Sequence, residues 1–181
     1  INANTADQQD LTQARAELCN YFVQKNLGEI DDWTNLMLFY HNQNRMEEKI
    51  ALLRKAINKF PDNPLFLNDL GYTLLDYSEY LNKAGLLIQR AVALEPENAY
   101  YQDSLAWYYY LISDFENALE HIKLQMQMQE TPGEISYHIG MILLANQKDD
   151  EAIKYLKAAT EDTNNPTYQE KAKQALDELE K

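Results

Sequence analysis

The chain lacks several features that would place it in a common functional class. Its one cysteine, Cys19, excludes an intrachain disulfide. No stretch approaches the roughly 20 apolar residues of a membrane span, so we expect no membrane insertion. Five glycines in 181 residues and 45% hydrophobic content exclude a fibrous or disordered chain and fit one ordinary domain.

Basic residues are also scarce, with 16 Lys and Arg against 29 Asp and Glu and a net charge of −13. An acidic chain without a basic stripe repels phosphate, which argues against nucleic acid as a partner. The histidines His41, His121 and His138 lie in different predicted helices without metal-ligand spacing. No glycine-rich phosphate loop or nucleophile elbow is present, so we expect no enzymatic activity, cofactor or metal.

What the sequence does contain is a skeleton repeated four times with a period of about 34 residues, which is typical of a helix–turn–helix solenoid. The first-helix positions are Trp33, Leu36, Met37, Tyr40; Leu67, Leu70, Gly71, Leu74; Gln102, Leu105, Ala106, Tyr109; and Ser136, Ile139, Gly140, Leu143. The second-helix positions are Lys49, Leu53, Ala56; Ala84, Ile88, Ala91; Ala118, Ile122, Gln125; and Ala152, Leu156, Ala159. Pro61 and Pro96 end the first two copies.

This pattern resembles the tetratricopeptide repeat family, whose units read Trp-x-x-Leu-Gly-x-x-Tyr, then Ala-x-x-x-Phe, then Pro. The resemblance covers roughly residues 30–166 and implies an all-α, right-handed α-solenoid. We expect an N-terminal helix within 1–29, four repeats at 30–63, 64–98, 99–132 and 133–165, and a C-terminal capping helix at 166–181.

The repeated spacing has a packing reason and two notable exceptions. Small residues let paired helices approach, and large ones such as Ile88 fill the gap between them. Lys49 and Gln125 stand at positions that usually hold alanine, and we expect Lys49 to extend its amine to water. The second copy carries one extra residue in the turn near 76–81. Asn63 and Asn98 are predicted helix caps.

The N-terminal segment predicts one more amphipathic helix, over residues 7–26. Ala14, Leu18 and Tyr21 follow the spacing of a second helix, but no first helix precedes it. The chain is therefore either part of a longer or processed array, or begins with its own capping helix. In the first case Cys19, Phe22 and Leu27 would form an apolar edge for stacking or self-association.

The family resemblance implies that first helices line a concave groove. No Lys or Arg occurs in the four first-helix segments, which are 31–43, 64–77, 99–112 and 133–146. The residues expected on the groove face include acidic and aromatic side chains. Tyr and Trp are common in binding hot spots. The candidate partner-binding residues are Leu38, His41, Asn68, Tyr72, Leu75, Asp76, Tyr100, Asp103, Trp107, Tyr110, Tyr137 and Met141.

These features predict a non-catalytic scaffold that binds a protein or peptide with apolar and some basic side chains. The missing groove cations argue against the carboxylate clamp that some family members use for chaperone tails. The alternative is a structural or assembly segment of a longer array that stacks or self-associates through its N-terminal edge and could form a homo-oligomer. A third hypothesis is an enzyme with an undetected site. The repeats resemble bacterial members of the family, which favours the periplasm or cell envelope over the cytoplasm.

Overall fold

The computed structural model describes residues 3–128 and 130–179, with side chains from residue 9 onward. Residues 1, 2, 129, 180 and 181 of the predicted segments lie outside the described residues. The helices are α1 (Ala3–Gln24), α2 (Ile30–Asn42), α3 (Met46–Lys59), α4 (Pro64–Leu74), α5 (Leu81–Leu94), α6 (Ala99–Leu111), α7 (Phe115–His121), α8 (Lys123–Met126), α9 (Gly133–Ala145), α10 (Asp149–Glu161) and α11 (Pro166–Leu179).

The helices form successive antiparallel hairpins that stack along the chain. Helix α2 pairs with α3, α4 with α5, α6 with α7 and α8, and α9 with α10, while α11 packs on α9 and α10. None of the described residues lies in a β-strand. The predicted all-α solenoid is therefore confirmed.

Close approach within the hairpins rests on small residues opposite large ones, as the spacing predicts. A Cβ added to Gly71 would lie 2.6 Å from Cγ1 of Ile88, and one added to Gly140 would lie 2.6 Å from Cγ of Leu156. Ile88, Leu156 and Leu53 are fully buried. Burying a large aliphatic side chain contributes about 1.5–3 kcal/mol, so these contacts hold each hairpin together.

Helix starts and turns follow the local sequence. The side chain of Asn63 accepts a hydrogen bond from the backbone of Phe66, and that of Asn98 accepts one from Tyr100, so both predicted caps are confirmed. The extra residue of the second copy is accommodated by a 3₁₀ turn at Ser78–Tyr80 between α4 and α5.

The expectation that Lys49 extends its amine to water is wrong. Its side chain is buried, and Nζ lies 2.9 Å from Oδ1 of Asp69 on the following hairpin. A buried ammonium needs a paired charge, and Asp69 supplies it. The other exceptional position, Gln125, is fully buried; its amide donates to the backbone oxygen of Ala99, and its Oε1 has no hydrogen-bond partner.

Helix α1 presents a different face to its neighbours than the spacing predicts. Ala16, Cys19 and Val23 are buried against α2, whereas Leu18 and Tyr21 are 56% and 55% exposed. The prediction that Cys19, Phe22 and Leu27 form an exposed apolar edge is wrong for Cys19, which lies inside the core, whereas Leu27 is 65% exposed. Ala14, Leu18 and Tyr21 share one face of α1, but no helix among the described residues covers that face.

Candidate partner-binding site

A buried acid–histidine pair lies where the first helices of neighbouring hairpins meet. Nδ1 of His138, on α9, lies 3.1 Å from both carboxylate oxygens of Asp103, on α6. His138 is fully buried and Asp103 is 5% exposed. This arrangement satisfies the Asp103 carboxylate inside the protein and fixes α6 against α9.

Three further side chains, Tyr72 of α4, Glu134 of α9 and Tyr168 of α11, form a hydrogen-bond network next to this pair. The Tyr72 hydroxyl donates to Glu134 and lies 3.1 Å from the Tyr168 hydroxyl and 3.4 Å from Nε2 of His138. Burial, aided by the nearby Glu134 carboxylate, raises the pKa of both tyrosines well above the usual value. Both phenols therefore stay neutral and able to donate hydrogen bonds at physiological pH.

Aromatic stacking covers one side of His138. The Trp107 ring lies 4.1 Å from the His138 ring at an interplanar angle of 17°, and 4.6 Å from the Tyr110 ring at 11°. Tyr137 meets Trp107 at 5.9 Å in a tilted geometry. Three of the rings, Tyr110, Trp107 and His138, form a continuous stack, and Tyr137 packs against it at an angle. Trp107 is therefore half-buried by its own neighbours.

Beside this network lies a pocket of about 190 Å³ between α4, α6 and the start of α9. Its lining residues are Asn68, Asp69, Tyr72, Tyr100, Asp103, Ser104, Pro132, Glu134 and Ile135.

The pocket is rich in hydrogen-bond acceptors and in negative charge. Three of its residues are carboxylates, Asp69, Asp103 and Glu134, and Lys49 pairs with the first of them. Two buried oxygens at its wall, Oδ1 of Asn68 and Oδ2 of Asp69, have no hydrogen-bond partner. The Tyr100 ring at its rim is 60% exposed.

The structure brings some of the candidate residues together and separates others. Those that line the pocket are Asn68, Tyr72, Tyr100 and Asp103. Trp107 and Tyr110 belong to the adjoining ring stack, and Tyr137 packs against it.

Five candidates lie elsewhere. Leu75 is 6% exposed and belongs to the core, so it does not line an accessible groove, contrary to the expectation. Leu38 and His41 are exposed on α2, Leu38 in a separate small pocket against α1. Asp76 is exposed at the end of α4, and Met141 packs with the core under α11.

Four residues of the site were missed in the candidate set: Asp69, Glu134, His138 and Tyr168. The repeat register gives no signal for the acid–histidine pair, because Asp103 is equivalent to Tyr137, one residue before His138, and the contact spans 35 residues. The contact of Tyr72 with Tyr168 spans 96 residues and depends on the curvature of the whole stack, which the sequence does not specify.

A larger pocket of about 680 Å³ lies between α1, α2 and α3 and contains none of the candidate residues. Two lysines line it, Lys55 and Lys59, and Lys59 donates to the backbone oxygens of Asn26 and Gly28, at 3.0 and 2.9 Å. That lysine therefore secures the turn between α1 and α2. We place the candidate site at the smaller, acidic pocket because four of the candidate residues line it and none lines the larger one.

Within the described ranges, no group of three or more His, Cys, Asp or Glu side chains is placed to hold a metal ion. Among those same residues, no helix combines the length and apolar character needed to cross a bilayer.

The repeats and the hairpin stack define an all-α helical-repeat protein that resembles the tetratricopeptide type. Comparison with known proteins supports this class. The chain is 28% identical over 122 residues to the TPR repeat-containing protein PA4667 of Pseudomonas aeruginosa, a match covering 65% of this chain and 20% of that protein. The chain thus corresponds to about a fifth of the relative's length. No family model matches the chain.

Solved structures share the fold. A crystal structure of MamA aligns with a TM-score of 0.64 and 18% identity, covering 96% of this chain and 98% of that one. MamA from Desulfovibrio magneticus, from residue 41 to its end, aligns with a TM-score of 0.56 and 15% identity over 75% and 77% of the two chains. At this identity the likeness concerns the fold.

Proposed function

We propose that the protein is a non-catalytic interaction scaffold whose acidic pocket takes a basic side chain from a protein or peptide partner. The observation that carries this proposal is the acidic lining of the pocket. Asp69 pairs with Lys49 and Asp103 with His138, whereas Glu134 accepts from the Tyr72 hydroxyl and has no basic side chain of the described residues paired with it. The resemblance to a TPR repeat-containing protein supports a role in protein interaction.

The geometry suggests how a lysine or arginine would sit. Its stem would lie against the exposed ring of Tyr100, and its charge would approach Glu134, with Asp103 and Asp69 adding negative potential behind it. Cation–π contact at exposed sites contributes about 0.5–1 kcal/mol, and a hydrogen bond to a charged group about 1.5–3 kcal/mol. Apolar side chains flanking the cation would contact the ring stack around Trp107 and Tyr110.

The test is selection from a random peptide library, followed by fluorescence anisotropy with the selected peptides. We expect them to contain Lys or Arg beside apolar residues, and Glu134→Gln to weaken binding about tenfold or more. The glutamine still accepts from Tyr72, so folding is preserved. Glu116→Gln, an exposed glutamate on α7, is the matched control and leaves binding unchanged.

Two results would refute this assignment. One is selection of peptides whose affinity does not change when their basic residues become alanine. The other is equal binding by Glu134→Gln and the parent protein.

The bacterial periplasm or cell envelope is the location we propose, on the likeness of the repeats to bacterial members of the family. Fractionation of the source cells tests it. Recovery of the protein in the cytoplasmic fraction alone would contradict it.

A further inference from the structure

The pocket of about 680 Å³ between α1, α2 and α3 carries positive charge in a chain whose net charge is −13. Lys55 and Lys59 lie one turn apart on α3, so both belong to the same wall of the pocket. Among the described residues that line the pocket, the acidic one is Glu48, and it pairs with Arg45 at 2.8 Å. Neither lysine has a carboxylate of the described residues within ion-pair distance.

The next hairpin shows that this arrangement is not a property of the repeat. In the repeat register Lys55 corresponds to Arg90 of α5, whose guanidinium lies 2.5 Å from the Asp62 carboxylate. Lys55 has no such partner, and Lys59 corresponds to the apolar Leu94. The pair of unneutralised cations on one face therefore distinguishes α3 from α5.

The pocket also offers free hydrogen-bonding groups. Nζ of Lys59 donates to two backbone oxygens, and because an ammonium carries three donors, one N–H remains. Side chains with amide groups, which both donate and accept, lie on the lining as well: Asn20, Gln24, Asn26 and Asn58. Gln24 donates to Oδ1 of Asn20 at 3.3 Å, which leaves the Asn20 amide nitrogen as a donor.

Buried apolar side chains complete the lining. Val23 of α1, Trp33 of α2 and Leu52 of α3 are each buried, so every helix contributes one. Pockets that hold ligands commonly measure about 300–1,000 Å³ and combine an apolar base with a few polar groups. The volume and lining of this pocket meet that description.

We propose that this pocket binds a glutamate or aspartate side chain of a peptide, with the carboxylate at Lys55 and Lys59 and the peptide backbone against the side-chain amides. The unneutralised lysines favour an anion. The Glu48 carboxylate in the same wall and the net charge of −13 disfavour phosphate or a polyanion, because each further negative charge adds repulsion. The site shares no lining residue with the acidic pocket and is independent of the function proposed there.

The experiment is a ¹⁵N NMR titration of the full chain with acetyl-Ala-Glu-Ala-amide and with its glutamine counterpart. We expect saturable shifts of the backbone amides of residues 20–26 and 55–59. The glutamine peptide should bind about tenfold more weakly, because it loses a charge-assisted hydrogen bond.

A matched pair of variants tests the role of the lysine. Lys55→Gln should weaken binding of the glutamate peptide about tenfold. Arg54→Gln removes the same charge from the neighbouring exposed position, which is outside the lining, and should change the affinity less than about twofold at about 0.15 M salt.

Three outcomes would overturn the proposal. The first is no saturable shift at residues 20–26 and 55–59. The second is equal affinity for the glutamate and glutamine peptides, or for Lys55→Gln and the parent protein. The third is binding of inorganic phosphate or sodium acetate at least as tight as that of the glutamate peptide, which would assign the pocket to a free anion. Glu134→Gln leaves the glutamate peptide bound, so failure here is distinguishable from failure at the acidic pocket.

Discussion

Replacing His138 by alanine removes the residue that joins the Asp103 carboxylate to the aromatic stack on Trp107. The imidazole is fully buried and lies 3.1 Å from both oxygens of Asp103, so its loss leaves a buried carboxylate without its partner. Breaking a buried pair by removing one member costs about 3–5 kcal/mol. The lost stack with Trp107 adds to this, at about 0.5–1.5 kcal/mol.

Urea denaturation followed by circular dichroism measures the effect directly. We expect His138→Ala to lower the free energy of unfolding by at least about 3 kcal/mol, equivalent to a fall in Tm of roughly 6–12 °C for a chain of this size. His41→Ala is the matched control, because His41 is exposed on α2, and it should stay within about 0.5 kcal/mol of the parent.

A double variant separates the pair from its surroundings. Once His138 is alanine, changing Asp103 to alanine removes the unpaired carboxylate, so the two losses should sum to more than the double variant shows. We expect a coupling of about 1 kcal/mol or more. Additive losses, or a stable His138→Ala protein, would refute the view that this pair fastens α6 to α9.

Three other substitutions test the hairpins and the pH response. Ile88→Ala should cost about 2–5 kcal/mol in a thermal melt, whereas Leu86→Ala on the exposed side of the same helix should change stability by less than about 0.5 kcal/mol; equal effects would contradict the core assignment. Gly71→Ala should destabilise the protein, because a Cβ would meet Ile88 at 2.6 Å and this overpacking outweighs the gain in helix propensity; a higher Tm would contradict that contact. Burial lowers the pKa of His121, so the unfolded chain binds its proton more readily and stability should fall as pH drops below about 6.5. His121→Gln should flatten the pH dependence of urea midpoints between pH 7 and 5.5, and an unchanged slope would show that His121 does not contribute.

The solenoid could be predicted from the sequence because its determinants are local and repeated. Glycine and alanine at fixed distances from large aliphatic residues specify which helices pair, and the buried positions Ile88 and Leu156 follow from that spacing. Asn63 and Asn98 mark helix starts through their own side chains. Each of these signals acts within one hairpin.

What the sequence did not reveal depends on contacts between hairpins. The ion pair of Lys49 with Asp69 and the hydrogen bonds joining Tyr72 to Tyr168 connect different units. Their partners are set by the rise and curvature of the stack, which single-unit patterns do not specify. The α1 face shows the same limit, because Leu18 has a core spacing but its burial requires a covering helix.

The most direct test of the acidic pocket is a ¹⁵N NMR titration of the full chain with N-acetyl-arginine amide. The account predicts that the largest shifts of backbone amides cluster at residues 68–72, 100–104 and 132–135, and that Glu134→Gln diminishes them. Shifts spread evenly over the exposed carboxylates of the molecule, with none concentrated at the pocket, would contradict it.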